Sequence, residues 1–333
     1  MSVEIKNFLI ITIAFIFNVF LVNYQGVSLI DIARTTRGSV QVWLYVPVLI
    51  LSYHILFFIF TTIKGVYIKK TKYFKMWQYD VTNFFSDMKK VFSFTLLFIY
   101  LIIFQTSFKS IYAWQLATPN NVDWLLYTFD RMFLGPSLWW WGSQLLSHNI
   151  WLNVVYYLDR FYMPYFAYQW FVIMYIVFHE TSDKREYFIT TFFLIWMFGT
   201  TIGGLCQSGG PFFFSYAPWH ILQMKGLEAI NHIVPLYSLN TQNYLWQSYF
   251  DVNKTMLAGG ISAFPSLHIA ICLFIYLFFR ECGYKYLTIL TFIGLMITWI
   301  GSMILGWHYF VDGLGAVCIV YLAQKTAIAL HKS

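Results

Sequence analysis

Two polar clusters in an otherwise apolar stretch carry the residues best suited to chemistry. They are Pro265-Ser266-Leu267-His268 and His308-Tyr309-Phe310-Val311-Asp312. His308 and Asp312 are spaced i, i+4, so a helix would stack them on one face. A carboxylate one turn from an imidazole accepts the Nδ1 proton. That leaves Nε2 with a lone pair aimed outward, as a nucleophile. Pro265 suits the first turn of a helix, where no N–H is needed. Ser266, Leu267 and His268 would then offer free N–H groups at a helix N-terminus, a ready anion site with phosphate as the usual occupant. His268 beside that anion is placed to protonate a leaving oxygen.

The elements between the clusters must bring them together. Leu267 to Phe279 predicts a helix of roughly 20 Å, Arg280 to Tyr286 a charged turn, and Leu287 to Leu305 a returning helix of roughly 28 Å. A helix out and a helix back return the chain to its starting side. His268 and His308 are therefore expected at the same end of a helical hairpin, although 40 positions apart.

The two clusters, in this order, resemble the signatures of the phosphatidic acid phosphatase type 2 superfamily. The family's second motif is Pro-Ser-X-His, and its third ends in His-X-X-X-Asp. Phe264-Pro265-Ser266-Leu267-His268 with His308-Tyr309-Phe310-Val311-Asp312 looks most like the inositol phosphorylceramide synthase branch. The resemblance implies that His308 forms a phosphohistidine, Asp312 orients it and His268 protonates the leaving group. It also implies a six-helix catalytic core, no metal and no other cofactor. Ala217-Pro218-Trp219 is similar to a short segment of the same branch.

The departures concern cations. Gly301 and Ser302 stand where Ser-Arg is common in the family, and the chain has no Arg-Pro. Phosphate binding therefore falls to the Ser266 and Leu267 backbone together with another cation. On the side predicted to carry the site the cations are Lys109, Arg131, Arg160, Lys225 and Lys254. Lys109 comes first, because it directly follows a span. Arg160 is second, because a charge at the start of a span is costly unless it is used.

Composition sets the frame. Only 11% of residues are charged and 59% are hydrophobic, against about 25% charged in soluble domains. This is the signature of an all-α polytopic membrane protein. The net charge of +7 lies in loops beside apolar runs, which favours a topological role over nucleic-acid binding. Cys206, Cys272, Cys282 and Cys318 form no CxxC pair, so neither a disulfide framework nor a zinc site is indicated.

Eight spans are expected. They cover 8–22, 42–61, 91–106, 156–178, 187–205, 267–279, 287–305 and 309–327. The first lacks a cleavage site and reads as retained rather than as a signal peptide. Two regions follow: 1–90, with two helices and a basic cytoplasmic loop carrying seven lysines between Lys64 and Lys90, and 91–333, the six-helix catalytic domain. Trp139-Trp140-Trp141 reads as part of an interfacial belt, and residues 207–265 as a long loop over the site. Eight spans put fourteen lysines and arginines on the side of the termini and seven on the other, so the active site is expected on the extracytoplasmic or lumenal face.

Three functions compete. One is a phosphatase or phosphotransferase acting on a membrane lipid phosphate, with water or an alcohol as acceptor. The second is a membrane transporter, whose ionisable residues would line a path through the bilayer. The third is an inactive lipid-binding relative. The chemistry-bearing residues cluster at one membrane face and His268, His308 and Asp312 are all present, which favours the enzyme.

Overall fold

The computed structural model describes residues 3–24, 95–105, 107–108, 121–179, 182–214, 218–250 and 261–332, with isolated positions between 26 and 59. The regular structure of these residues is helical. The helices are α1 (Val3–Tyr24), α2 (Thr95–Gln105), α3 (Asp123–Leu134), α4 (Leu138–Leu145), α5 (His148–Tyr162) and α6 (Tyr165–His179). They continue with α7 (Ser182–Leu205), α8 (Pro218–Ile233), α9 (Tyr237–Phe250), α10 (Leu267–Glu281), α11 (Lys285–Ile304) and α12 (Phe310–Lys332).

Four of them, α1, α7, α11 and α12, are long and apolar enough to cross a membrane. The eight spans expected from sequence are thus not all seen. The second falls almost entirely outside the described residues, as does the Lys64–Lys90 loop. The third is described only in part, as α2. The fourth is broken: Pro164 has no N–H to continue α5, and the chain turns at Met163–Pro164 before α6 begins. Helix α10 has 15 residues, about 22 Å, which is short of a bilayer core of about 30 Å.

The hairpin forms as expected. Ser266 caps α10 by accepting the Ile269 N–H at 3.3 Å, and Gly283 turns the chain into α11 at φ +75°, a conformation that favours glycine. Helices α10 and α12 pack on α7, and α7 on α1. Phe104, Phe188, Phe192, Phe274 and Phe278 fill this core. An ionic clasp joins the ends of the bundle. Lys6 Nζ reaches Glu186 at 2.8 Å and the Leu330 carbonyl at 3.1 Å, with His331 on the other Glu186 oxygen at 3.7 Å.

The segment 207–265, expected to be a loop, contains two helices, α8 and α9. Their buried faces are mixed: Leu227 and Ile230 on α8 and Leu239 on α9, with the buried glutamines Gln223 and Gln242. With α4 and α5 they form a second apolar layer over the end of α11. Trp139 belongs to this layer. It is buried edge-on against Trp151, 5.2 Å between ring centroids, and leaves no room for a side chain at Gly226. Only Trp141 of the tryptophan run is exposed, so the belt assignment fails for Trp139.

Candidate active site

His308 lies two residues before α12, in the irregular connection from α11, and not on the helix itself. The i, i+4 pairing with Asp312 still forms, because Asp312 reaches backward from the first turn of α12. Asp312 Oδ2 is 3.2 Å from His308 Nδ1 and accepts the Tyr309 N–H at 2.9 Å. The second contact is the carboxylate half of a capping box. The carboxylate faces Nδ1, so the proton resides there and Nε2 keeps its lone pair. Across from it, His308 Nε2 lies 3.4 Å from His268 Nδ1. That separation is long for a nitrogen–nitrogen hydrogen bond, so little binding is lost if another group enters between the rings. Tyr162 packs against His268 at a tilt of 30°, with 5.2 Å between centroids, and lies nearly parallel to Trp307 at 6.2 Å.

The His308 segment is clamped from several elements. The Ser302 carbonyl accepts the N–H groups of Trp307 and His308 at 2.8 and 3.3 Å. Gln223 Nε2 donates to the Met303 and Ile304 carbonyls, both at 2.8 Å, and Gln242 Nε2 to the Leu305 carbonyl at 3.0 Å. The Met303 carbonyl also takes the Gly306 N–H at 3.2 Å; beyond that turn the carbonyls at the end of α11 run out of intrahelical partners, and the two glutamines complete its C-terminal cap. Helices α8 and α9 therefore hold the His308 turn from the side.

Two aspartates complete the frame. Asp130 of α3 accepts the Phe310 N–H at 2.8 Å and the Val311 N–H at 3.2 Å, one on each oxygen. It thereby caps the helix that carries Asp312. Asp123, about two turns earlier on the same face of α3, accepts from Ser208 Oγ at 2.7 Å and from the Gly209 and Gly210 N–H groups at 2.9 and 3.1 Å. The Gly209–Gly210 turn is thus filled by a carboxylate of the protein. Gly210 is required there: it adopts φ +81°, and a Cβ would run into the Trp307 carbonyl. Burial pushes the Asp130 carboxyl up to about 7, against the pull of the Phe310 N–H and helped by the charge of Asp312.

Of the residues expected to bind phosphate, Ser266 and Leu267 stand at the start of α10. The Ser266 N–H is not free, because it donates to the Asp312 carbonyl at 3.1 Å. Pro265 precedes the cap and does not enter the first turn. Arg160 is bound elsewhere. Its guanidinium pairs with Asp159 at 2.6 Å, donates to the Pro235 carbonyl at 2.8 Å and stacks 3.7 Å from the Tyr237 ring centroid. Asp159 in turn caps α9 through the Tyr237 and Ser238 N–H groups, at 2.9 and 2.7 Å. Lys109 and Lys254 lie outside the described residues.

A cavity of about 30 Å³ borders His308, large enough for a water molecule. Tyr127, Asp130, Arg131, His220 and Gln223 line it as well. His220 Nδ1 donates to the Phe214 carbonyl at 3.0 Å, and burial pushes the imidazole down to about 4, so it is neutral at physiological pH. No group of three or more metal-ligating side chains is arranged to hold an ion among the described residues.

Sequence reasoning missed Asp123, Asp130, Gln223 and Gln242. All four act on backbone groups far away in the chain, and the only local signal was an acidic residue on the apolar inner stripe of α3, beside Leu126 and Tyr127. A family model described as the PAP2 superfamily matches residues 124–326. No curated protein and no solved structure matches the chain.

Proposed function

The chain belongs to the PAP2 superfamily, and from that premise we propose that it transfers or hydrolyses a phosphate group of a membrane lipid through a phosphohistidine on His308. Membership supports phosphatase- or phosphotransferase-type chemistry on a lipid phosphate. The observation that carries the finer reading is the line Asp312 Oδ2, His308 Nδ1, His308 Nε2, His268 Nδ1, with steps of 3.2 and 3.4 Å.

In the first step the His308 Nε2 lone pair attacks phosphorus. The bond from phosphorus to the lipid oxygen breaks, and His268 donates a proton to that oxygen. Asp312 stabilises the positive charge that develops on the His308 ring. In the second step water or an alcohol attacks phosphorus and returns its proton to His268, and the phosphorus–nitrogen bond breaks. Apart from the substrate and the acceptor, both steps use only groups of the chain.

The lipid nature of the substrate is supported by an apolar cavity of about 370 Å³ between α6, α10 and α11. It is lined by Tyr168, Val172, Cys272, Ile275, Phe279 and Leu290 among others. Cys272 is one helical turn from His268, so an acyl chain there would begin next to the reacting group.

The test is incubation of the purified protein with a panel of lipid phosphates, with and without inositol or other alcohols, with products read by mass. Release of phosphate without alcohol is the expected phosphatase result. Transfer of the phosphate to the alcohol, giving a new phospholipid only where the acceptor is itself a lipid alcohol, is the result expected of a transferase, which the form of the two motifs favours. Neither product with any lipid phosphate would leave the transporter reading in its place.

The charge asymmetry across the membrane supports an extracytoplasmic or lumenal site. In a background without native cysteines, an impermeant thiol reagent on intact cells should label Lys225→Cys on α8 and not Lys285→Cys at the hairpin turn. The reverse pattern would invert the topology.

A further inference from the structure

Helix α3 has two unlike faces. Trp124, Leu125, Phe129, Met132 and Phe133 are exposed, at 60, 56, 42, 76 and 62%. The inner stripe, Asp123, Leu126, Tyr127 and Asp130, holds the turn at 208–210 and the start of α12. An exposed face of one tryptophan, two phenylalanines, a leucine and a methionine belongs in the apolar edge of a bilayer, with the helix lying along the interface. Arg131 stands at the border between the faces. It lines the cavity next to His308.

The guanidinium of Arg131 is unusual among the charges near the site. Its one side-chain contact among the described residues is the Tyr127 ring, 5.9 Å from guanidinium carbon to centroid. No carboxylate pairs with it among the described residues. The carboxylate and the two imidazoles on the cavity have their partners. Asp130 holds two backbone N–H groups, His220 donates to Phe214, and His308 is paired with Asp312. An arginine with its donors unused, beside a nucleophile that must face a phosphate dianion, fits the clamp that phosphoryl transfer requires. Arg160, the other arginine weighed for this part, is bound to Asp159 and Pro235.

We propose that Arg131 binds the substrate phosphate, taking the place of the arginines that the common family motifs would supply, and that α3 holds it at the depth of lipid head groups. This rests on the reading of His308 as the phosphate-accepting residue. Planar bidentate contact to two phosphate oxygens is the property that lysine lacks, so the two cations are not equivalent here.

Thermal stabilisation of the purified full-length protein by inorganic orthovanadate, a phosphate mimic, tests this without needing turnover. Arg131→Gln should raise the half-stabilising vanadate concentration by about tenfold or more, the effect of losing one charge-assisted contact. Arg131→Lys should recover part of the loss. Lys225→Gln, the same charge change on α8 away from the cavity, should behave as wild type. Unliganded melting temperatures equal to wild type exclude a folding defect in Arg131→Gln, and Arg131→Lys provides a second reading if they are not. An unstabilised wild-type protein, or half-stabilisation of Arg131→Gln within about twofold of wild type, would overturn the proposal. If stabilisation depends on Arg131 but His308→Ala leaves it unchanged, Arg131 stands and the phosphohistidine assignment falls.

Discussion

His308→Ala is expected to abolish turnover while leaving the protein folded and inserted. The side chain supplies the only nucleophilic atom in the proposed first step. Its removal leaves Asp312 with the Tyr309 N–H, which it already holds at 2.9 Å, so the start of α12 keeps its cap. His268→Ala should be severe but measurable. Loss of a general acid is typically a factor of about 10² to 10⁴, and water can protonate the leaving oxygen slowly. Brief incubation with a substrate radiolabelled in its phosphate, followed by denaturation, should leave acid-labile label on the wild-type chain and none on His308→Ala. Near wild-type turnover in His308→Ala would remove the nucleophile from the mechanism.

The second large effect is expected at a residue with no direct part in bond making. Asp130→Leu strips both acceptors from the Phe310 and Val311 N–H groups. Each donor left unsatisfied costs roughly 1–3 kcal/mol, less where water reaches it. The loss falls on the first turn of α12, the same turn that aims Asp312 at His308. Asp159→Leu makes a fair comparison, because it strips two N–H acceptors from α9 instead. Both variants should melt earlier than wild type. Only Asp130→Leu should also lower kcat, by about tenfold or more, as expected when a catalytic group is slightly misplaced. Equal kcat in the two variants would reduce Asp130 to a structural cap.

Asp130 also gives a pH signature. Its folded-state value of about 7 lies above the ordinary 3.8, so the folded chain holds more protons than the unfolded chain between those values. Its contribution to stability is therefore greatest below pH 3.8 and falls as the pH rises toward 7. Asp130→Asn should remove that slope from a melting-temperature profile.

The contrast between what sequence and structure each reveal follows from range. Pro265–His268 and His308–Asp312 were legible because each is a short pattern, and the apolar runs between them could only fold back as a hairpin. The Asp312–His308 pair was expected from helical spacing and formed by another route, a carboxylate reaching back from the first turn. The structural jobs of Asp123 and Asp130 were not legible. Their partners lie 85 to 87 and 180 to 181 positions away, and they are backbone N–H groups, which every residue but proline carries. Arg160 has its partner in the neighbouring position. A charge at the head of an apolar run suggests a substrate, but buried Asp159 next to it supplies the partner. The helices within 207–265 were hidden because their buried faces mix glutamine and histidine with leucine. That pattern weakens the periodicity from which helices are read.

The bond from Asp130 to the start of α12 has a consequence for synthesis. Asp130 leaves the ribosome 180 residues ahead of Phe310, roughly ten to forty seconds at usual elongation rates. During that interval α3, which carries Asp130 and Arg131, is made but the residue proposed as nucleophile is not. His308 and the turn that holds Asp312 against it arrive together, in one short stretch, and the waiting carboxylate is one of the groups that fix that stretch. On the proposed mechanism a half-made chain therefore lacks its phosphate acceptor, and reactivity waits for the last part of the chain.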